Sequence, residues 1–177
     1  NMDALRLEAL SKRYADQIWV YRSELFATTD ANRFAGCAGL DKAQSMQVWY
    51  ESVMRSASPE TCPQHLVPKT LYLAIRESDN RLVGMIDLRH HIEHPILKRW
   101  GGHIGYNIRP ADRRKGYGKE MLRLCLEKAG EFGLTRVLIT CREGNIASEK
   151  IILANGGVYE STVDTENGPI RRFWITL

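Results

Sequence analysis

The sequence has few cysteines, no long apolar run and only one short patch of charge of one sign. Its four cysteines, in a chain of 177 residues, are never spaced as C-x-x-C, which argues against a zinc or redox motif and against a disulfide framework. No stretch approaches the roughly 20 apolar residues that a membrane-spanning helix requires, and the first residues lack the apolar centre of a signal peptide. We therefore expect a cytoplasmic protein that binds no metal and does not associate with a membrane.

The balance of charge narrows the class of ligand. The chain carries 25 Lys and Arg against 21 Asp and Glu, a net charge of +4, and 44% of its residues are hydrophobic. This composition is typical of a globular domain, and its mild positive charge suits an anionic small molecule better than a nucleic acid. A nucleic-acid surface along residues 109–119 is the weakest alternative, because no aromatic stacking platform accompanies that basic run.

The first third of the chain has the periodicity of helices. One helix face is formed by apolar residues at i, i+4, i+7 and i+11, namely Tyr14, Ile18, Tyr21 and Leu25. After a break at 32–39, Asp41 is the candidate N-cap of a second helix. The buried stripe of that helix would be Met46, Trp49 and Val53. We therefore expect residues 1–69 to form a helical part of the molecule.

The rest of the chain alternates between strand and helix patterns. The predicted elements, in chain order, are a hairpin of strands 71–75 and 82–88, a loop at 90–100, a strand at 102–108, a helix at 116–132, a strand at 135–140, a helix at 147–154 and a hairpin of strands 158–163 and 170–175. The order α-α-β-β-β-α-β-α-β-β predicts a single α/β (α+β) domain over 1–177, with a mixed sheet and helices on both faces.

The most informative motif is a basic, glycine-containing run between the third strand and the long helix. It reads Arg113-Arg114-Lys115-Gly116-Tyr117-Gly118 and follows Pro110, which stops the strand because proline has no N–H. Free backbone N–H groups and the dipole at a helix N-terminus attract an anion, and glycine lets a phosphate approach closely. The run is neither a Walker motif nor a Rossmann fingerprint. Taken alone, it also fits a basic, solvated entry to a helix.

The surroundings of this run resemble the GNAT superfamily of acyl-CoA-dependent N-acyltransferases. Their signature is a strand followed by Arg/Gln-x-x-Gly-x-Gly/Ala at the start of a helix, and Arg113, Gly116 and Gly118 match it at the right spacing. Residues 145–148 (Asn-Ile-Ala-Ser) and 155–157 (Asn-Gly-Gly) resemble the last helix of the family. The resemblance covers about residues 70–177, points to a bacterial branch, and leaves 1–69 as the variable, acceptor-side part.

The resemblance implies that acetyl-CoA is the cosubstrate and that it lies in a centrally splayed sheet. The pyrophosphate of coenzyme A would rest on the backbone amides of the turn, and Arg113 would be a further cofactor-binding residue. The amides belong to Arg114, Lys115, Gly116, Tyr117, Gly118 and Lys119. The pantetheine arm would run between two splayed parallel strands, 102–108 and 135–141. It would bond near Ile108 on one side and to Asn145 on the other.

The reaction that the resemblance implies is transfer of an acetyl group to a primary amine by direct attack on the thioester. A base with a pKa near neutral suits removal of the amine's proton. His103 stands where many relatives have Glu, so it is the candidate general base; the alternative is a hydrogen-bonded strand histidine with no catalytic part. The family's usual tyrosine acid on the last helix corresponds here to Ile152, which leaves the general acid unassigned.

The acceptor and the assembly stay open at this point. The acceptor is a small-molecule or peptide amine, and a homodimer formed through the C-terminal hairpin is neither favoured nor excluded. A coenzyme-binding sensor or regulatory module without transfer is the main alternative function. The histidine cluster at 90–94 is interpreted as a polar rim of the acceptor pocket or a solvated loop rather than a metal site. Cys141 is interpreted as part of the cleft wall rather than as a nucleophile.

Overall fold

The computed structural model describes residues 3–177 and arranges them as seven strands and four α-helices. The strands are β1 (Leu5–Ala9), β2 (Lys69–Arg76), β3 (Arg81–Arg89), β4 (Ile104–Ile108), β5 (Arg136–Arg142), β6 (Val158–Thr165) and β7 (Gly168–Thr176). The helices are α1 (Ala15–Phe26), α2 (Met46–Ser56), α3 (Tyr117–Glu131) and α4 (Ile146–Ala154).

The strands form two antiparallel sheets. The larger has the order β1-β2-β3-β4, and the smaller has the order β5-β7-β6. In the larger sheet Asp87 of β3 lies opposite Gly105 of β4, and in the smaller sheet Thr140 of β5 lies opposite Arg172 of β7. The predicted α/β fold class, with helices flanking a sheet that is split at its centre, is confirmed.

The prediction that residues 1–69 are helical is wrong at the start of the chain. Residues 5–9 form strand β1, which pairs antiparallel with β2 from Leu5 opposite Arg76 to Ala9 opposite Tyr72. The strand is only five residues long, and of these only Leu5 is buried. A segment this short carries too little alternation to reveal a strand, and its partner lies more than sixty residues away in sequence.

Two other boundaries differ from the sequence prediction. The N-cap of α2 is Ser45, whose hydroxyl accepts a hydrogen bond from the Val48 N–H at 3.1 Å, whereas Asp41 lies in a preceding 3₁₀ turn. Ser45 satisfies an amide of the first helical turn that would otherwise lack a partner. The loop expected at 90–100 contains a π-helical turn at Leu97–Gly101, and β4 begins at Ile104 rather than at residue 102.

Two apolar layers cover the faces of the larger sheet. Helices α1 and α2 pack on one face through a set that includes Tyr21, Leu25, Trp49, Leu73 and Met85. Helix α3 packs on the other face through a set that includes Ala74, Ile86, Met121, Leu122 and Cys125, and this layer continues onto β5 and β7. Neighbouring residues of β2 and β3 thus contribute to opposite layers, as the two-residue period of a strand requires.

The two sheets meet at His103, immediately before β4. The His103 N–H donates to the Leu138 carbonyl of β5 at 2.8 Å, and the Leu138 N–H donates to Nδ1 of the His103 ring, also at 2.8 Å. The residue is 4% exposed. Burial is the main reason that the pKa of its ring is lowered to about 4, so the ring is neutral at neutral pH.

This junction makes the stability of the fold sensitive to acid. Because the pKa of His103 is lower in the folded chain than the unfolded value of about 6.5, the unfolded chain binds the proton first, and stability present above about pH 6.5 is lost as the pH falls towards about 4. We expect His103 to account for about 2 kcal/mol of the unfolding free energy lost between about pH 7.5 and about pH 5.

Urea unfolding of the native chain and of His103→Gln at the two pH values checks this expectation. The variant should lose less unfolding free energy on acidification, whereas His65→Gln, at an exposed position, should behave as the native chain does. An equal loss in the native chain and in His103→Gln would contradict the assignment.

Candidate active site

The turn between β4 and α3 has the backbone geometry of an anion site. Arg114 has a φ of +63° and Gly116 a φ of +85°, so two residues of the turn are left-handed. Gly116 is the N-cap of α3 and provides no side chain to bond the first amides of the helix. The first turn of a helix leaves its N–H groups without backbone acceptors, and alternating left- and right-handed residues turn such groups towards one point. The amides from Arg114 to Lys119 can therefore converge on an anion.

The charged side chains of this turn differ in their contacts. The Arg113 guanidinium is bonded within the protein. Its Nε donates to the Ile108 carbonyl at 3.1 Å, and a terminal nitrogen lies 2.6 Å from the Asp30 carboxylate. Arg114, Lys115 and Lys119 are exposed beside the amides. The sequence motif contains three basic residues, and in the structure one of them, Arg113, holds the turn against β4.

A buried carboxylate, which sequence reasoning did not single out, also anchors the turn. Asp112 is 3% exposed and accepts a hydrogen bond from Arg81 at 2.9 Å. Lys115 lies 3.6 Å from the same carboxylate. A buried carboxylate is stable only when cations or hydrogen-bond donors surround it, so Asp112 fixes the turn to the first residue of β3.

Alternate residues of β4 direct their backbone N–H and C=O groups either towards β3 or away from it. The Arg89 N–H donates to the His103 carbonyl and the Arg109 N–H donates to the Val83 carbonyl, each at 2.7 Å. In an antiparallel ladder, alternate residues direct both backbone groups to the partner strand and the residues between them direct both away from it. Odd-numbered residues of β4 therefore bond to β3, whereas Tyr106 and Ile108 present their N–H and C=O groups to the gap between the sheets.

The same argument applies to β5 on the other side of the gap. The residues that flank β5 bond to β7 and its end. The Glu143 N–H donates to the Pro169 carbonyl at 3.0 Å, and the Leu177 N–H donates to the Thr135 carbonyl at 2.9 Å. The backbone groups of the even-numbered residues of β5 consequently face the gap. The N–H and C=O groups of Leu138 are already bonded to His103. Beyond that junction no ladder joins β4 to β5 within residues 3–177, so the gap is a cleft lined by backbone groups outside any ladder, of which the Ile108 carbonyl accepts a hydrogen bond from Arg113.

Helix α4 lies beside the open end of this cleft. A side chain at Gly118 would meet Ile151 of α4, since a Cβ built there lies 2.5 Å from the Ile151 Cδ1. Asn155 donates to the Lys119 carbonyl at 3.2 Å. The sequence explains Gly118 by close approach of a phosphate, and in the structure a side chain at this position would also displace the Ile151 side chain of α4. Gly116 is the position whose backbone conformation needs a glycine.

Asn145, the predicted pantetheine contact, begins α4. Its side-chain oxygen accepts a hydrogen bond from the Ser148 N–H at 3.1 Å, which makes it the N-cap of the helix. The cap uses only the oxygen, so the amide NH₂ of the same side chain can still donate to a ligand. Asn145 is thus held at the entrance of the cleft with a donor available.

The long segment between α1 and α2 covers the other face of β4. The Asn107 side chain of β4 donates to the carbonyls of Ala35 (2.7 Å) and Arg33 (3.2 Å), and its oxygen accepts a hydrogen bond from the Tyr21 hydroxyl. Gly36 has a φ of +70°, and a Cβ there would lie 2.4 Å from the Gly105 carbonyl. The break that the sequence placed at 32–39 is therefore a docked loop, and Asn107 is a positioning residue that sequence reasoning missed.

The geometry around His103 limits what its ring can do. The neutral ring accepts the Leu138 N–H at Nδ1, so its proton is on Nε2 and that nitrogen is a donor. A general base needs a free lone pair, and the lone pair of this ring is in use. The geometry therefore favours the alternative of a hydrogen-bonded structural histidine, while the base role stays a prediction until the activity of His103→Gln is measured.

Hydroxyl and thiol groups occur together on the α3 side of the cleft. The Tyr106 hydroxyl lies 2.7 Å from the Ser148 hydroxyl of α4. Ile152 is fully buried in the core, one helical turn after Ser148. Burial raises the pKa of the Cys141 thiol to about 11, so the thiol is protonated at neutral pH, which disfavours nucleophilic attack.

The histidine cluster at 90–94 lies away from the turn at 113–118. The His90 ring stacks on Phe132, just after the C-terminal end of α3, and bonds to the Thr70 hydroxyl at 2.8 Å. His91 and His94 each accept a backbone N–H at Nδ1. In residues 3–177 no three His, Cys, Asp or Glu side chains are grouped as metal ligands. No helix in that range is long and apolar enough to cross a membrane.

Solved structures provide a test of the fold. The chain is similar to a protein of Vibrio cholerae described as a candidate ribosomal-protein-serine acetyltransferase, with 17% identity, a TM-score of 0.65 and coverage of 98% of this chain and 94% of that one. It is also similar to RimL, a ribosomal L7/L12 α-N-protein acetyltransferase in complex with coenzyme A (17% identity, TM-score 0.66, coverage 98% and 94%). The aminoglycoside acetyltransferase AAC(6')-Ib with coenzyme A and kanamycin gives 14% identity, a TM-score of 0.66 and coverage of 98% and 95%.

At these identities the structures establish a shared fold, and the family follows from the sequence. A search of curated protein sequences found no significant match. The family model for the acetyltransferase (GNAT) domain matches residues 5–158, which is most of the chain. The match includes β1, the long helix α3 and the turn that precedes it. The chain therefore belongs to the GNAT acetyltransferase domain family.

Proposed function

We propose that this protein transfers the acetyl group of acetyl-CoA to a primary amine by direct attack of the amine on the thioester. The observation that carries the proposal is the pairing of an anion-binding turn with a cleft of backbone groups outside any ladder that starts beside it. A pyrophosphate joined to an arm that contains amide groups is complementary to both features at once. Family membership supports the same reaction class.

Each part of coenzyme A has a proposed partner. The pyrophosphate accepts hydrogen bonds from the amides of Arg114 to Lys119, with the side chains of Arg114 and Lys115 adding charge. The pantetheine amides continue the ladder of β4 at Ile108 and Tyr106, as an added strand would. Because Arg113 already donates to the Ile108 carbonyl, the Ile108 N–H is the group left for the arm at that residue. Asn145 donates from the opposite side.

The chemistry proceeds without a covalent enzyme intermediate. A neutral amine attacks the thioester carbon, the C–N bond forms, the C–S bond breaks, and the amine proton passes to solvent or to a base. The buried, protonated Cys141 does not compete as a nucleophile. The junction at His103 closes one end of the cleft, so the thioester stops beside β4 where the acceptor can reach it.

The acceptor is proposed to be a small-molecule or peptide amine that enters beneath the α1–α2 loop. The two kinds of acceptor in the titles of the similar structures, a protein α-amine and an aminoglycoside, define the first compounds to test. A second candidate function is a coenzyme-binding sensor without transfer. It is favoured by the fact that Ile152 replaces the tyrosine that the family often uses as an acid.

Coenzyme binding should depend on the left-handed conformation of Gly116. Acetyl-CoA at about 100 times its Kd should stabilise the native chain by roughly 2.7 kcal/mol, measured by thermal unfolding. Gly116→Ala should lose most of this gain, because a Cβ disfavours the conformation that directs the amides.

Gly133 provides a matched control for this experiment. It has the same φ of +85°, lies just beyond the other end of α3, and has no atom near the position of a Cβ. Gly133→Ala should therefore have a similar intrinsic cost but keep the full gain from acetyl-CoA. Equal gains in the two variants would contradict the proposed site.

An assay of acetyl transfer distinguishes the proposed transferase from the coenzyme-binding sensor. We expect release of coenzyme A from acetyl-CoA when peptides with a free N-terminal amine or aminoglycosides are present, and none with N-terminally blocked peptides. Mass spectrometry of the acceptor should show addition of one acetyl group at the amine. Binding of acetyl-CoA without acetylation of any amine would favour the sensor.

A further inference from the structure

The segment between β3 and β4 covers one face of the smaller sheet. Its π-helical turn, Leu97–Gly101, closes with a hydrogen bond from the Gly102 N–H to the Leu97 carbonyl at 2.8 Å. Gly102 has a φ of +68°, and a Cβ there would lie 2.7 Å from the Leu138 carbonyl of β5. The turn therefore ends in close contact with the residue of β5 that joins the two sheets.

Side chains of the smaller sheet hold this turn by its free carbonyl groups. One terminal nitrogen of Arg172, on β7, lies 2.6 Å from the carbonyl oxygens of both Lys98 and Arg99. The Thr140 hydroxyl, on β5, donates to the Trp100 carbonyl at 2.7 Å. The last carbonyls of a helical turn have no partners within the turn, so these two side chains satisfy three successive groups that would otherwise need water.

Arg172 is itself fixed by its neighbours on the smaller sheet. Its other terminal nitrogen lies 3.1 Å from the Glu160 carboxylate of β6, which also accepts a hydrogen bond from the Trp174 indole. The Arg172 side chain is 12% exposed. A planar guanidinium held in this way directs donors to the carboxylate and to the turn at once, which the single ammonium of a lysine cannot do equally well.

The turn and the α1–α2 loop lie on the same face of the split sheet. The residues of β5 and β7 in the apolar layer shared with α3 are odd-numbered, and those of β4 are even-numbered. Because side chains alternate along a strand, Thr140 and Arg172 point to the opposite face. Asn107, which holds the α1–α2 loop, points to that face as well. The loop thus borders the cleft along β4, and the turn borders it along β5.

These two borders define the way to the thioester. On the α3 side the cleft is closed by the apolar layer and by the contact between Tyr106 and Ser148. An amine that attacks a thioester in the cleft therefore approaches from the opposite face, between the loop and the turn. An acceptor that is much larger than its reacting amine contacts both.

We propose that the turn at Leu97–Gly101 is the second wall of the acceptor site, and that Arg172 and Thr140 are the positioning residues that set its distance from the α1–α2 loop. The inference rests on the proposed function and names the part of the chain that selects among amines. Two walls at a fixed distance bind a matching acceptor and exclude others, whereas a plain alkylamine is too small to contact both. The position of the turn therefore affects discrimination between acceptors and not the chemical step.

Discrimination between a large and a small amine tests this inference. The quantity to measure is kcat/KM for the best peptide or aminoglycoside acceptor, divided by kcat/KM for n-butylamine. We expect Arg172→Gln to lower this ratio about tenfold, through a higher KM for the large acceptor at an unchanged kcat. Arg172→Lys should lower the ratio less, because an ammonium can still donate to one of the two carbonyls. Thr140→Val, which removes one hydrogen bond and keeps the shape, should act in the same direction even if Arg172→Gln does not fold.

Arg171→Gln is the matched control. Arg171 is the preceding residue of β7, and its side chain pairs with Glu149 of α4 at 2.9 Å on the other face of the sheet. This variant should keep the native ratio, and all the variants should keep the stabilisation by acetyl-CoA. A native ratio in both Arg172→Gln and Thr140→Val overturns the inference and leaves the transferase intact, as does an equal fall in Arg171→Gln and Arg172→Gln. A native chain that acetylates no amine contradicts the proposed function itself, and the inference falls with it.

Discussion

The junction between His103 and Leu138 is the contact on which the site depends. One backbone hydrogen bond and one ring hydrogen bond join the two sheets there, and beyond it β4 and β5 separate. A continuous ladder would have satisfied the backbone groups of Tyr106 and Ile108 and left nothing for a ligand to bond. The junction therefore keeps the sheet in one piece and creates the cleft, and a neutral, buried histidine suits this task better than a titrating one.

The elements that border the cleft are all fastened to β4 or to the turn that follows it. Asn107 holds the α1–α2 loop on one face, and Arg113 ties the same loop, through Asp30, to the end of the strand. Asp112 holds the turn to β3. A coenzyme bound along β4, as proposed, would thus contact the strand and turn that also hold the α1–α2 loop, the proposed acceptor side.

Much of the fold and of the candidate site could be predicted from the sequence, and the features that could not be predicted have a common cause. The turn at 113–118, helix α3 and the hairpins depend on local signals, namely glycines, basic residues and apolar periodicity. Strand β1, the docking residue Asn107 and the Tyr106–Ser148 pair depend on contacts between segments far apart in sequence, which no local pattern records. His103 has the side chain of a candidate general base, but its hydrogen bonds depend on where Leu138 lies, which only the fold shows.

Amide hydrogen exchange in β4 tests the central claim most directly. If coenzyme A adds a strand to the open edge of β4, acetyl-CoA should slow exchange at the Tyr106 and Ile108 amides. The Gly105 and Asn107 amides, already bonded to β3, should change little. This alternating pattern is the predicted result. Uniform protection along β4, or protection confined to the Gly116 turn, would show that the arm does not lie in the cleft and would contradict the account.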